Sequence, residues 1–175
     1  MKDIEYWIWL SRIEGLIPKV LNDLLEKYKE PKIIWNKTKE ELIEDGIKES
    51  YACKILNSSY RKNLDKYLEY MQKNNIEIIN IYDKYYPDKL RVIYDPPVVI
   101  YVKGNKKILN ERSLAIVGCR LCTKYGEVVS KNLAYNLSLK NINIVSGLAR
   151  GIDSFAHKGC LDANGKTVAV VRMWT

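Results

Sequence analysis

The sequence lacks the long apolar segment that a membrane-spanning helix requires. No run of hydrophobic residues approaches the roughly eighteen that such a helix needs, and Asp3 and Glu5 lie where a secretory signal peptide carries basic residues. Cysteine is also scarce, with four residues among 175. These features predict a cytoplasmic protein with no membrane contact, in which the cysteines are reduced thiols and not a disulfide framework.

Motifs of nucleotide and hydrolase chemistry are missing as well. The turn at residues 118–123 contains one glycine, so it is not a G-x-G-x-x-G dinucleotide fingerprint. The sequence has no Walker lysine motif. It also has no acidic residue after the second parallel strand at the position where dinucleotide-binding proteins hydrogen-bond the ribose. A Ser-His-Asp triad could be assembled from Ser146, His157 and Asp153, but no nucleophile-elbow pattern surrounds the serine. A nucleotide-binding enzyme remains the general alternative for an α/β sheet.

Positive charge is concentrated in the second part of the chain. Residues 1–74 contain 14 Lys and Arg against 13 Asp and Glu, whereas residues 75–175 contain 15 against 8. The two parts therefore carry net charges of +1 and +7, which give the +8 of the whole chain. A cationic field of this kind favours a polyanionic partner, although it also serves solubility.

The first part, residues 1–74, has the apolar periodicity of a small helical domain. One stripe at helical spacing consists of Leu21, Leu24, Leu25 and Tyr28. Thr38 and Glu41 have the spacing of a capping box. A single longer helix is predicted to start near Ser50, to run through Met71 and to close at Asn74-Asn75. Because the near-neutral charge attracts phosphate weakly, a structural or protein-contact role is favoured over DNA binding.

From residue 75 the pattern changes from helical to extended. Apolar runs with strand character occupy residues 76–81, 98–102, 114–117, 142–145 and 167–171, and the last four are of the type buried on both faces. Thr123 is predicted to cap the first intervening helix, which is expected to bury Val129, Leu133 and Leu137. The residues expected to line the second helix are Ile152, Phe155, Ala156 and Cys160. Alternating strands and helices predict right-handed crossovers and a parallel sheet, which is an α/β fold.

Two of these strands end in glycine-containing turns that carry arginine. In a doubly wound sheet, ligands bind beyond the carboxyl ends of the strands, where glycine permits close backbone approach and N–H groups face an anion. The candidate anion-binding residues are Gly118, Cys119, Arg120, Thr123, Lys124, Ser146, Gly147 and Arg150. Tyr125 is placed to stack on a base or to pack in the fold.

Six motifs in order resemble the DNA-processing protein A family (DprA/Smf). They are Tyr86-Pro87-x-x-Leu90, Asp95-Pro96-Pro97, Tyr101-x-x-Gly104-Asn105, Ala115-Ile116-Val117-Gly118-x-Arg120, Thr123-x-Tyr125-Gly126 and Ser146-Gly147-Leu148-Ala149-Arg150-Gly151-Ile152-Asp153-x-x-Ala156-His157. The resemblance implies a helical domain like a sterile alpha motif or helix-hairpin-helix over residues 1–74. It implies the first part of a Rossmann-like DNA-binding domain over residues 75–175.

The same resemblance implies a non-catalytic protein that binds and protects incoming single-stranded DNA and hands it to the RecA recombinase in natural transformation. It implies a homodimer, and we expect no cofactor. Arg120 matches the phosphate-binding arginine of the family, whereas Cys119 replaces a serine or threonine and removes a phosphate donor. Without the surrounding motif, the alternative interpretation of Arg120 is an arginine in a surface salt bridge. The residues expected to shape the site are Gly126, Gly151, Asp153 and His157.

Two further hypotheses concern metal and chain length. Cys119 and Cys122 with His157 and Cys160 supply four potential zinc ligands, although buried free cysteine is the commoner fate. After residue 171 the sequence departs from the family pattern, so the Rossmann-like domain is expected to be incomplete. An incomplete sheet exposes apolar surface and strand edges. An inactive fragment of the family is therefore the alternative to a working DNA-binding protein.

Overall fold

The computed structural model describes residues 3–171. The chain divides into two compact units, Met1–Lys106 and Lys107–Thr175, and each is described here by itself. Within residues 3–171, no helix combines the length and apolar character needed to cross a membrane.

The first unit is mainly helical. Its helices are α1 (Ile4–Ser11), α2 (Pro18–Tyr28), α3 (Pro31–Trp35), α4 (Lys39–Glu44), α5 (Glu49–Ile55), α6 (Leu64–Lys73) and α7 (Asp88–Arg91). Proline occupies the first position of α2 and α3, where its missing N–H costs no hydrogen bond. The predicted capping box is confirmed: Thr38 Oγ1 accepts the N–H of Glu41, and the Glu41 carboxylate accepts the N–H of Thr38.

The single helix predicted from Ser50 to Met71 is wrong. The segment forms α5, a 3₁₀ turn at Ser58–Arg61, and α6. The side chain of Asn57 accepts the N–H of Ser59 and starts the 3₁₀ turn. Asn63, which precedes α6, has a φ of 60°, in the left-handed region. Asparagine tolerates that region and competes for backbone hydrogen bonds, and the apolar periodicity across the segment hides both breaks.

Two antiparallel strands complete the first unit. β1 (Ile76–Asn80) pairs with β2 (Val99–Lys103), with Ile78 opposite Tyr101. Val99 belongs to the same buried cluster as the helices. The compact units therefore divide after Lys106, although the sequence pattern changes at residue 75, because the strands cover the helical core and do not extend the parallel sheet.

Tyr86 ties together two of the motifs noted in the sequence. Its side chain is fully buried, and its hydroxyl donates a 2.6 Å hydrogen bond to the carbonyl of Pro97. Burial raises the pKa of Tyr86 to about 12. The Tyr86-Pro87 and Asp95-Pro96-Pro97 motifs thus hold the loop between β1 and β2 in place.

The second unit contains a parallel α/β sheet, as predicted. Its strands and helices are β3 (Ser113–Ala115), α8 (Lys124–Ser138), β4 (Asn143–Ser146), α9 (Ile152–Asp162) and β5 (Thr167–Ala169). The strand order is β3-β4-β5, with Leu114 opposite Ile144 and Val145 opposite Val168. Only the central strand of the three is buried along most of its length, so the prediction that all three are buried on both faces is wrong for β3 and β5.

The two helices of this unit pack closely against each other. The buried residues of α8 are Ser130, Ala134 and Ser138, whereas Val129 and Leu133, which were predicted to be buried, are 42% and 47% exposed. A Cβ atom at Gly159 of α9 would overlap the carbonyl oxygen of Lys131. Because the two backbones approach so closely, only small side chains fit between them, and the larger apolar residues face outward.

Candidate functional site

The candidate site lies where the turns after β3 and β4 meet. The first turn comprises residues 117–123 and the second turn comprises residues 147–151. The N–H of Ile152 donates to the carbonyl of Cys119 at 3.3 Å, and Gly151 lies directly against the carbonyl groups of Cys119 and Arg120. The two turns therefore form one continuous surface, because the carboxyl ends of neighbouring parallel strands lie at the same edge of the sheet.

The buried carboxylate of Asp153 connects the two turns by accepting a hydrogen bond from each. One carboxylate oxygen accepts the N–H of Gly118 at 3.2 Å, and the other accepts the N–H of Gly147 at 3.1 Å. The side chain is 5% exposed and lies in the first turn of α9. The two glycine amides, which the sequence suggested as phosphate donors, thus already have an acceptor inside the protein.

The two hydroxyl groups of the candidate set are also engaged within the fold. Ser146 is 2% exposed, and its Oγ donates to the carbonyl of Ile116 at 2.7 Å, which joins β4 to the end of β3. Thr123 is exposed and is the predicted N-cap of α8, because its Oγ1 accepts the N–H of Gly126 at 3.1 Å. Ser146 therefore faces the interior, whereas Thr123 stays at the surface.

Arg120 and Arg150 are the exposed cations of the two turns. Among the residues that the structure describes, neither guanidinium group makes an ion pair or a hydrogen bond. Lys124, 81% exposed, pairs with Glu127 of the same helix at 2.9 Å. The arginines therefore keep their full donor capacity for an anion, and the lysine shares its charge with a neighbouring carboxylate.

Exposed flat and apolar side chains are also present in or next to the two turns. Tyr125 is 78% exposed at the start of α8, and Cys119 is exposed in the first turn. Sequence reasoning missed Leu121 and Leu148, which are 95% and 61% exposed at the two turns. Leu148 has a φ of 57°, an uncommon backbone conformation for a leucine. The available signal was a leucine next to Arg120 in the first turn and a leucine two residues before Arg150 in the second.

His157 is a buried part of the fold. Its Nδ1 lies 2.7 Å from Thr167 Oγ1, and that hydroxyl donates to the carbonyl of Ile144, so Nδ1 carries the proton and donates to the threonine. Nε2 has no hydrogen-bond partner in the described part of the chain. The Ser146 hydroxyl donates to a carbonyl and not to this ring, so the bonded serine and histidine of a hydrolytic triad are not assembled.

We predict that the second unit loses stability as the pH falls through the histidine range. Burial lowers the pKa of His157 below its ordinary value, and the charge of Asp153 opposes this effect. The neutral ring therefore stabilises the folded state fully above the unfolded pKa of about 6.5, and this stabilisation is lost as the pH falls through the lower folded-state pKa. Urea unfolding between about pH 8 and 5 should show a steeper loss for the natural chain than for His157→Gln. Equal pH dependence would contradict this prediction.

The zinc hypothesis finds no support in the geometry. Cys160 is buried and its Sγ donates to the carbonyl of Lys166 at 3.2 Å, whereas Cys119 is exposed. Across residues 3–171, no group of three or more His, Cys, Asp or Glu side chains is arranged to hold a metal ion.

The fold and the site together define an α/β protein with a cationic surface at the carboxyl ends of its parallel strands. A sequence profile described as DNA recombination-mediator protein A matches residues 77–173. The chain belongs to this family. The resemblance to DprA and Smf proteins stated from the sequence is thus confirmed.

Individual relatives agree with this assignment. The DNA processing protein DprA of Bacillus subtilis is 38% identical over 128 residues, 73% of this chain and 43% of that protein. Protein Smf of Synechocystis is 32% identical over 174 residues, 95% of this chain and 43% of that protein. The X-ray structure of DprA from Streptococcus pneumoniae superposes with a TM-score of 0.70 at 29% identity, covering 95% of this chain and 57% of that one. The chain thus spans less than half the length of the two curated relatives.

Proposed function

We propose that this chain binds single-stranded DNA at the surface formed by the two turns. The observation that carries the proposal is a pair of exposed arginines, Arg120 and Arg150, on two turns that contact each other. Neither arginine side chain makes an ion pair among the described residues. Two guanidinium groups at one edge of a sheet suit successive phosphates of a single strand. Membership of a DNA recombination-mediator family supports the same class of ligand.

The surroundings of the arginines suit the other components of a single strand. Lys124 adds charge beside the first turn, although part of it is shared with Glu127. Tyr125, Leu121 and Leu148 offer exposed flat and apolar surfaces on which bases can pack. Cys119 takes the place of a hydroxyl donor, so binding rests on the cations.

Membership of the family supports a wider role. We propose that the protein is a non-catalytic, cytoplasmic DNA-processing protein, and that it protects incoming single-stranded DNA and helps to load RecA in natural transformation. A homodimer is what the family resemblance implies. For residues 1–74 we keep the prediction of a structural or protein-contact role, because that part of the chain is close to neutral.

Removing one arginine should weaken binding without changing sequence preference. In a titration of a fluorescent oligothymidylate of about thirty bases, followed by anisotropy, Arg120→Ala is expected to lower the affinity roughly threefold to tenfold, as for one exposed charge contact. The slope of log affinity against log salt should fall by about one. Arg150→Ala should behave alike, and the double variant should lose most of the binding.

Lys140→Ala is the matched control. Lys140 is an exposed cation beyond the end of α8, whereas the candidate surface lies at the start of that helix. About sixteen residues of helical rise separate the two places, roughly 24 Å. This variant removes the same charge and should leave affinity nearly unchanged. An equal loss in Lys140→Ala and Arg120→Ala would show diffuse charge attraction and contradict the proposed surface.

A further inference from the structure

The two turns contain the parts of an anion site, but a carboxylate of the chain itself fills it. In dinucleotide-binding sheets, a phosphate group lies against glycine N–H groups at the end of a strand and at the N-terminus of the following helix. Here the N–H groups of Gly118 and Gly147 and the first turn of α9 converge on Asp153. The position that suits a phosphate is therefore occupied.

The carboxylate fits this position closely. Its two oxygens lie 3.2 Å from the Gly118 nitrogen and 3.1 Å from the Gly147 nitrogen, and 5% of the residue is exposed. A Cβ atom at Gly147 would lie 2.8 Å from one of these oxygens, so the carboxylate uses the space that glycine leaves. Each oxygen thus has its own donor, and neither donor remains for an outside anion.

We propose that Asp153 is a built-in anion that excludes free phosphate and mononucleotides from the glycine amides of both turns. Its negative charge also repels any anion that approaches those amides. Outside anions are then restricted to the exposed arginines of the outer surface, where an extended polyanion gains several contacts and a mononucleotide gains few. Asp153 is accordingly a specificity-determining residue, and the inference holds whether or not the proposed DNA binding is correct.

The test is to remove the carboxylate and supply inorganic phosphate. In the natural chain, phosphate should change neither the melting temperature nor the ¹⁵N-resolved amide signals of Gly118 and Gly147, compared with chloride at equal ionic strength. Asp153→Ala should melt at a lower temperature in chloride. Phosphate should raise that temperature saturably and move the two amide signals, with an affinity at least about tenfold above that of the natural chain.

Two further variants make the result decisive. Asp153→Asn keeps the shape and removes the charge, so it should show a weaker gain of phosphate binding if Asp153→Ala does not fold. Asp162→Ala removes an exposed acid from the end of the same helix, where it pairs with Lys131, and should gain nothing.

Three results would overturn the inference. The first is a saturable movement of the Gly118 and Gly147 signals in the natural chain. The second is a folded Asp153→Ala or Asp153→Asn chain that ignores phosphate, and the third is an equal gain in Asp162→Ala. If neither Asp153 variant folds, the titration of the natural chain decides: stationary amide signals support the inference and moving signals contradict it.

Discussion

Replacing Gly151 with alanine is expected to destabilise the second unit by about 3 kcal/mol or more. Two physical causes act together at this residue. Its φ of 82° with a ψ of −133° is a conformation that glycine adopts and alanine resists. The new methyl group would also overlap the carbonyl oxygen of Cys119 and lie 2.6 Å from that of Arg120. Both obstacles are backbone atoms, so a side-chain rotation cannot relieve the overlap.

The effect should be largest at the candidate surface. Gly151 is the residue through which the two turns touch, and the next residue, Ile152, donates its N–H to Cys119. Separation of the turns would move Arg120 away from Arg150. We therefore expect Gly151→Ala to lose affinity for the labelled oligothymidylate by at least as much as Arg120→Ala does.

Gly46→Ala is the control that separates the cost of a positive φ from the cost of atomic overlap at Gly151. Gly46 also has a positive φ, 90°, but no atom lies within 4 Å of the position that its Cβ would take. This control should cost only about 1–2 kcal/mol. Urea unfolding combined with hydrogen exchange, resolved by peptide, would assign each loss to its unit. Similar losses of unfolding free energy in Gly151→Ala and Gly46→Ala would show that overlap with the first turn adds nothing to the cost at Gly151.

Replacing Trp9 with alanine is expected to destabilise the first unit by roughly 3–5 kcal/mol. Trp9 is fully buried, and its ring lies 5.0 Å from that of Trp35 in an edge-to-face arrangement. The Arg61 guanidinium lies 4.2 Å from the Trp35 ring and 5.6 Å from the Trp9 ring. Truncation would leave a cavity the size of an indole ring and remove one face of this stack.

Two control variants calibrate the loss of stability in Trp9→Ala: the conservative Trp9→Phe and the exposed Tyr70→Ala. Phenylalanine keeps a ring against Trp35, and the indole Nε1 has no hydrogen-bond partner among the described residues. The phenylalanine variant should therefore cost roughly 1–2 kcal/mol. Tyr70 is 58% exposed on α6, and its truncation should change stability by about 0.5 kcal/mol or less. A Trp9→Ala loss no larger than that of Tyr70→Ala would contradict the proposed core.

The parallel sheet and the glycine turns were predictable because their signals are local. Each of β3, β4 and β5 overlaps a predicted apolar run, and Thr123 caps α8 as its spacing indicates. Two kinds of prediction failed. The predicted single helix through Ser50 and Met71 is interrupted by local asparagine conformations, whereas the burial on α8 is decided by a distant segment. The apolar face of α8 includes Val129 and Leu133, yet contact with α9 selects Ser130 and Ala134 for burial.

The candidate site shows the same division. The sequence indicated that Arg120 and Arg150 follow neighbouring strands, and the structure places them on turns in direct contact. It could not indicate that the carboxylate of Asp153 takes the amides of both turns, since Gly118 lies 35 residues away. No local pattern encodes a hydrogen bond of that range.

The sequence by itself determined the order of the parallel strands and of the two helices between them, the places of the two glycine turns, the charge of the second part of the chain and the family. Local propensity, apolar periodicity and motif spacing act within a few residues, so these features are legible without a fold. Only the tertiary structure decided that the pair β1 and β2 joins the helical unit. It also decided which donors near the turns remain exposed. Both depend on contacts between segments far apart in the chain, and these form only when the chain packs.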